Sequence, residues 1–372
     1  MIQSHFYKQT GELRSYRFSL TLNTLSIISS TICVISKKLI DLGVLALRQR
    51  NSRGTFKPHV SIRFRDNAGD LRTFSIDTTR TLGKRLQPDA YLITHAHSDH
   101  HGKSAMLSPN AVCSEKTAVA LEIRHDRKYA GSVYRLGNEI DIQGTKIKTF
   151  PTQHAAGATA FYWENEVGTR ILVTGDVKDA SRLPPCDVLI TEANYGDPAD
   201  PSCYFADDLE GMKSALFDSG PVAFGAYEFG KAQRAVELIR DFGYDGAICM
   251  EARTRALTRS MLEDAGELEG LGFEKDNGVF VVAPWDLNKL PWNMKKYVLS
   301  CRMDYPYPVI KISDHLDVHG LENMVKKLSP EVTLVYHPSG HRPSKFSKHL
   351  NSIGIDSISI DQIGNVLSND FI

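Results

Sequence analysis

The run His95-Ala96-His97-Ser98-Asp99-His100-His101 concentrates imidazole and carboxylate groups in one short loop. Neutral imidazole and carboxylate are donors that Zn²⁺ and Mn²⁺ both accept. Ligands alternating along a short loop can be directed to two neighbouring ions. His95 and His97 suit one ion, and Asp99 and His100 suit a second. The run directly follows the apolar segment YLIT at 91–94, a placement expected of a metal loop at a strand end. His101 reads as a supporting or exposed residue rather than a ligand.

Other ligand-type residues stand in the same relation to short apolar runs. ILVT (171–174) runs into Gly175-Asp176, and VLIT (188–191) into Glu192. VIKI (309–312) runs into Ser313-Asp314-His315, and VTLVY (332–336) into His337. Short apolar runs bounded by turn residues read as buried strands. In layered α/β folds, side chains leave the core where strands end and loops converge, so these positions converge on one site.

The elements give a domain plan. Residues 1–55 read as an N-terminal extension, and a β-rich region begins with VSIRF (60–64) and LRTFSID (71–77). The segment 19–36 is apolar but short and rich in Ser and Thr, which makes a weak membrane anchor. PVAFGAY (221–227), GAICM (246–250) and GVFVVAP (278–284) read as strands. AQRAVELIRDFG (232–243) and residues 254–270 read as helices between them. This alternation predicts an α/β unit of its own, inserted into the first. The expected division is 1–55 extension, 56–200 first part of the core, 201–300 inserted domain and 301–372 second part of the core.

Composition narrows the function classes. Lys+Arg and Asp+Glu are both 44, which excludes a globally basic nucleic-acid coat but not a local basic groove. Hydrophobic residues at 42% and charged residues at 24% argue against wholesale disorder. No two of the 6 cysteines form a CxxC pair, which argues against a Cys-based zinc site or a compact disulfide scaffold. A reducing cytoplasmic setting is the expectation. Lys231 and Arg234, opening a helix after a Gly-containing turn, suit capture of substrate phosphate.

The HxHxDH run after an apolar strand resembles the metallo-β-lactamase fold. Downstream, Pro151-Thr-Gln-His154 is similar to that superfamily's third histidine motif, and Thr174-Gly175-Asp176 to its bridging aspartate. Later segments resemble the β-CASP nuclease branch. Thr191-Glu192-Ala-Asn-Tyr195-Gly196 is similar to its motif A, Ser313-Asp314-His315 to motif B and His337 to motif C. Gly225-Ala-Tyr227 with Gly230-Lys231-Ala-Gln233-Arg234 resembles the start of the inserted domain in small prokaryotic ligase-associated DNA exonucleases. The histidine at motif C leans toward RNA 3′-end-processing relatives. The family's glycine directly after that histidine is missing, because the segment reads His337-Pro338-Ser339-Gly340-His341, which keeps His341 open as an alternative.

The resemblance implies an α/β fold, an αββα sandwich interrupted by a β-CASP-like α/β domain. It implies two Zn²⁺, with Mn²⁺ as the other option. His95, His97 and His154 would hold the first ion, Asp99, His100 and His337 the second, and Asp176 would bridge them. The implied activity is hydrolysis of phosphodiester bonds in single-stranded DNA or RNA by a metal-bound hydroxide, as in DNA repair or RNA processing. Asp99 would also orient the hydroxide. His315, beside Glu192, is the candidate general acid, because a nearby carboxylate stabilises its cation; a supporting or ligand role is the other reading of His315. The alternative function on the same metal core is hydrolysis of a small-molecule ester, thioester or cyclic phosphodiester. Single-stranded nucleic acid is the expected partner, with no stable membrane association.

Overall fold

The apolar runs build three sheets with helices between and outside them, a mixed α/β architecture. The computed structural model describes residues 30–365 apart from 51–53, 55, 80, 82–86, 273–277 and 337–340. Helix α1 (Ser30–Asp41) leads into the first sheet. This sheet holds β1 (Leu45–Arg50), β2 (Phe56–Arg65), β3 (Leu71–Ile76), β4 (Ala90–Leu92), β5 (Ala111–Ser114) and β6 (Ser132–Tyr134), paired in that order. Helices α2 (Lys103–Met106) and α3 (Glu115–His125) flank β5 in sequence. The second sheet begins with β7 (Glu139–Ile142), β8 (Thr145–Pro151), β9 (Thr159–Glu164), β10 (Arg170–Val173) and β11 (Val188–Thr191).

The chain then leaves this sheet for a third one. After α4 (Leu209–Phe217) come β12 (Val222–Gly225), α5 (Lys231–Asp241), β13 (Ile248–Met250), α6 (Ala252–Met261), β14 (Leu268–Glu269), β15 (Val279–Val282), β16 (Lys295–Leu299) and β17 (Val309–Ile310). These strands are all parallel, in the order β14-β13-β15-β12-β16-β17. The chain returns through α7 (Val318–Leu328), β18 (Val332–Val335), α8 (Arg342–Ser352) and β19 (Ser357–Ser359), completing the second sheet as β19-β18-β11-β10-β9-β8-β7.

The first two sheets face each other across a common core. Val60, Ile62, Phe64, Phe74 and Ile76 of the first meet Phe161, Trp163, Ile171, Val173, Val188 and Ile190 of the second. Alternate residues point the other way, as strand geometry requires. Leu172 and Leu189 therefore pack outward against Leu321, Met324 and Val325 of α7 and Phe346 of α8. On the far side, Tyr91, Ala111 and Cys113 pack with Leu121 of α3 and with Leu257 and Met261 of α6. The central strands β4, β5, β10, β11 and β18 are covered on both faces, which explains their uninterrupted apolar runs in the sequence.

Two expected boundaries shift. Over its described part the 1–55 segment is no separate extension. Ile35 and Leu39, one helical turn apart on α1, are buried in the core between the sheets together with Val44 and Ala46. The earlier part, with most of the 19–36 apolar segment, lies outside the described residues. Among the described residues no helix is long and apolar enough to cross a membrane. The third sheet also runs past 300: β17 is its edge strand, and Ile310 and Ile312 belong to its core. Helix α6 is shorter than the expected 254–270, ending at Met261 before β14.

Candidate metal centre

Ligand-type residues gather where strands of all three sheets end. Strands β3 and β4 are parallel, as are β10 and β11. Their C-terminal ends release Asp77, His95, Asp176 and Glu192 at one edge of the sandwich. His154 follows β8, and His315 follows β17 of the third sheet. Gly175 makes the turn into Asp176 possible: its φ is +59°, and a Cβ there would lie 2.6 Å from the Thr94 side chain.

Asp176 is the hub. Its Oδ2 lies 3.6 Å from His95 Nε2, 3.3 Å from His100 Nε2, 3.4 Å from His154 Nε2 and 3.9 Å from His315 Nδ1. One ligand atom from each of His95, His97, His154 and Asp176 falls within 4.8 Å of the others, and the same holds for Asp176, Glu192 and His315. All but His97 and His315 are buried.

Each imidazole has its outer nitrogen fixed. His97 Nε2 donates to the Phe229 carbonyl at 2.9 Å, and His154 Nδ1 to the Asp314 carbonyl at 2.7 Å. His100 Nδ1 donates to Asp77 Oδ2 at 2.8 Å. Thr94 Oγ1 donates to Asp77 Oδ2 at 2.9 Å and so accepts from His95 Nδ1, also at 2.9 Å. A carbonyl can only accept, so the protons of His97 and His154 sit on the outside. Their inner nitrogens, His97 Nδ1 and His154 Nε2, then present lone pairs to each other at 2.9 Å.

Two facing lone pairs repel unless a proton or a cation lies between them. An extra proton is opposed, because burial holds the pKa of His97 down and those of His95 and His154 well below the ordinary value. His95 Nε2 and Asp176 Oδ1 are buried without a hydrogen-bond partner. Neutral imidazoles, inward lone pairs and orphaned buried acceptors form a donor set that suits a borderline divalent metal ion. The buried His/Asp group can therefore hold a metal ion.

The carboxylate partners set the remaining charges. Burial disfavours the His100 imidazolium, but Asp176 and Asp77 outweigh it and push its pKa well up. At Asp176 burial is overcome by His100, His154 and His315, which hold the carboxyl well below its usual range. At His315 burial is overcome by Glu192 and Asp176, so its pKa rises. His315 Nδ1 lies 3.0 and 3.1 Å from the two Glu192 oxygens, and its Nε2 lies 3.1 Å from the Asn194 amide. Glu192 is itself anchored by the backbone N–H groups of Val177 at 2.8 Å and Asn194 at 3.1 Å.

Of the predicted site residues, His95, His97, His100, His154, Asp176, Glu192 and His315 are brought together. Asp99 is exposed beside them, close enough to His97 and Arg124 for its charge to oppose in part the lowering of their pKa values by burial. His337, with the first three residues after it, lies outside the described residues. Lys231 is placed differently from the phosphate-binding position expected: it is buried, its Nζ 3.1 Å from Asp314 Oδ2 and donating to the Ile312 carbonyl at 2.9 Å. A buried ammonium needs such partners, and with them it is not presented to a ligand. Arg234 reaches Asp207 at 3.6 Å, and Asp207 also takes Lys178 at 3.0 Å.

Asp77 was missing from the predicted set. It is fully buried, and its carboxylate holds His100, Thr94 N–H and Thr94 Oγ1 together. Its signal was available, because it closes the strand LRTFSI just as the other site residues close theirs. Phe229 and Asp314 contribute through carbonyls, which no residue type announces. Gly230, with φ +80°, lets that loop approach the metal site: a Cβ there would sit 3.0 Å from His97 Nε2.

No family model and no curated protein matches the chain. Among solved structures, it is similar to the crystal structure of a protein of unknown function from Enterococcus faecalis V583. The two share 11% sequence identity at a TM-score of 0.57, over 81% of this chain and 95% of that one. That likeness shows a shared fold.

Proposed function

We propose that this protein is a metal-dependent nuclease hydrolysing phosphodiester bonds of single-stranded DNA or RNA. The facing sheets with their outer helices would be a metallo-β-lactamase-type sandwich, and the third sheet with α4, α5 and α6 a β-CASP-like insertion. The observation that carries the reading is the combination of two adjoining groups on Asp176. One is a histidine set with its outer nitrogens tethered and its inner lone pairs converging. The other is a His315–Glu192 pair. The first can hold a metal ion that activates water, and the second can supply the proton that the leaving oxygen of a phosphodiester requires.

His95, His97, His100, His154 and Asp176 would hold the metal, with Zn²⁺ or Mn²⁺ as the expected ion. Bound there, such an ion supplies Lewis acidity toward the phosphoryl oxygens and lowers the pKa of water. Glu192 fixes His315 through Nδ1 and favours its cation, so that Nε2 can deliver a proton to the departing oxygen. Tethering of Glu192 by two backbone N–H groups holds this donor in place without reorganisation.

The test is the variant pair His315→Ala and Glu192→Gln. Both should keep the wild-type metal content, measured by elemental analysis, while hydrolysis of a labelled single strand falls by about 10²–10⁴. Loss of metal from His315→Ala would make His315 a ligand and contradict the proton-donor role.

A further inference from the structure

The parallel third sheet ends on the side that meets the metal centre, since Phe229 follows β12 and His315 follows β17. The same edge carries large aromatic side chains that the proposed chemistry does not use. Tyr227 follows β12, Trp285 follows β15 and Tyr305 follows β16. Trp285 is 64% exposed, unusual for a residue of this size in a folded domain. Its ring centroid lies 6.0 Å from that of Tyr227, whose hydroxyl is hydrogen-bonded to Tyr305 at 2.8 Å. Toward the centre, Tyr195 is close enough to Tyr227 to influence it electrostatically, and its ring lies 5.6 Å from that of His315. The rings thus lead from solvent to the candidate proton donor.

Charge follows the same edge. Arg253, after β13, pairs with Glu228, and Lys289, after β15, pairs with Asp286. In both pairs the cation is the outer member: the Arg253 and Lys289 side chains are 62% and 70% exposed, against 18% and 12% for their carboxylates. The solvent therefore meets positive charge around the rings. Arg302, 58% exposed and paired with Asp304, 62% exposed, places a guanidinium 5.9 Å from the Tyr305 ring centroid. The exposed Trp285 ring beside the half-buried Tyr227 and Tyr305, with outward cations near them, matches an unpaired nucleic-acid strand, whose bases stack and whose phosphates are anionic.

We infer that Tyr227, Trp285 and Tyr305, with Arg302, form a stacking platform that takes the bases of an unpaired strand and leads its backbone toward the metal centre. The inference rests on the nuclease reading and adds to it a binding subsite on the third sheet. Because stacking is read through the π-face and not through base edges, the platform tolerates any base sequence.

The experiment uses the full metal-loaded chain and a fluorescein-labelled, phosphorothioate-linked 12-mer of deoxythymidylate, which resists hydrolysis. Trp292, 93% exposed but placed before β16 at the opposite end of the sheet, is the internal control. Trp285→Ala should weaken binding about tenfold, Trp285→Phe should restore most of it, and Trp292→Phe should bind as the wild type. In the Trp292→Phe protein the strand should also quench the emission of Trp285, since the third tryptophan, Trp163, is buried in the core. Equal binding by wild type and Trp285→Ala would overturn the platform and leave the nuclease reading standing. Failure of the wild type to bind either this 12-mer or its uridylate counterpart would overturn both. A duplex bound as tightly as the single strand, or a wild-type dimer that Trp285→Ala converts to monomer, would also overturn the platform.

Discussion

Tautomers decide what the centre can bind. With an acceptor behind each ring, His95, His97 and His154 present their lone pairs inward beside Asp176, and His100 lies between Asp77 and Asp176. Asp77 orients two of these rings, directly for His100 and through Thr94 for His95. Asn tolerates the left-handed backbone that Asp77 adopts (φ 48°), so Asp77→Asn removes the charge without straining the turn. Its metal affinity, measured by competition with a chelator, should fall about 10–100-fold. Unchanged affinity would mean that Asp77 does not tune the ligands. The clustered histidines and acids were legible because each is a distinctive residue type at or just after a strand end. The phosphate-binding expectation for Lys231 fails because its position at a helix start is visible in sequence, whereas its burial against Asp314 depends on how the third sheet packs on the sandwich.

Strand positions were easier to read than helix boundaries. The apolar runs at 171–174, 188–191 and 332–336 coincide with β10, β11 and β18 because full burial demands unbroken apolar sequence. Helix α1 was hidden, since its pattern only makes sense once the sheets it covers are known. Leu39→Ala, which opens a cavity under α1, should cost about 2–5 kcal/mol in denaturant unfolding. A cost near zero would mean that α1 is peripheral after all. A second element-level device joins β10 to β11. Asp187 accepts from the Arg170 backbone N–H at 2.7 Å and from its guanidinium at 3.0 and 2.6 Å. The Arg170 hydrogen bond holds the Asp187 carboxyl below its ordinary 3.8. A lowered folded-state pKa means stability that is present above the unfolded value and is lost as pH falls through the folded value. Asp187→Asn should therefore lower the unfolding midpoint at pH 7, and the gap from wild type should narrow below about pH 4. A gap independent of pH would show that the ion pair is not its source.

At the scale of the molecule, two units share one site. The sandwich supplies His95, His97, His100, His154, Asp176 and Glu192. The third sheet delivers the Phe229 carbonyl, and the chain leaving it delivers the Asp314 carbonyl and His315. The centre is thus complete only where the two units meet. The third sheet thereby takes part in assembling the centre. The alternation of apolar runs and helical patterns between 221 and 284 was legible as an α/β unit; the continuation of its edge strand β17 to Ile310 was not, because a two-residue strand carries too little pattern to assign.

The most direct test is hydrolysis itself. Purified protein, loaded with Zn²⁺ or Mn²⁺, is incubated with matched end-labelled single strands of DNA and RNA, beside Asp176→Ala and a chelator control. Degradation of at least one strand type is expected, abolished by the variant and by the chelator. A wild-type protein that carries metal at this site and cleaves neither strand would contradict the nuclease reading.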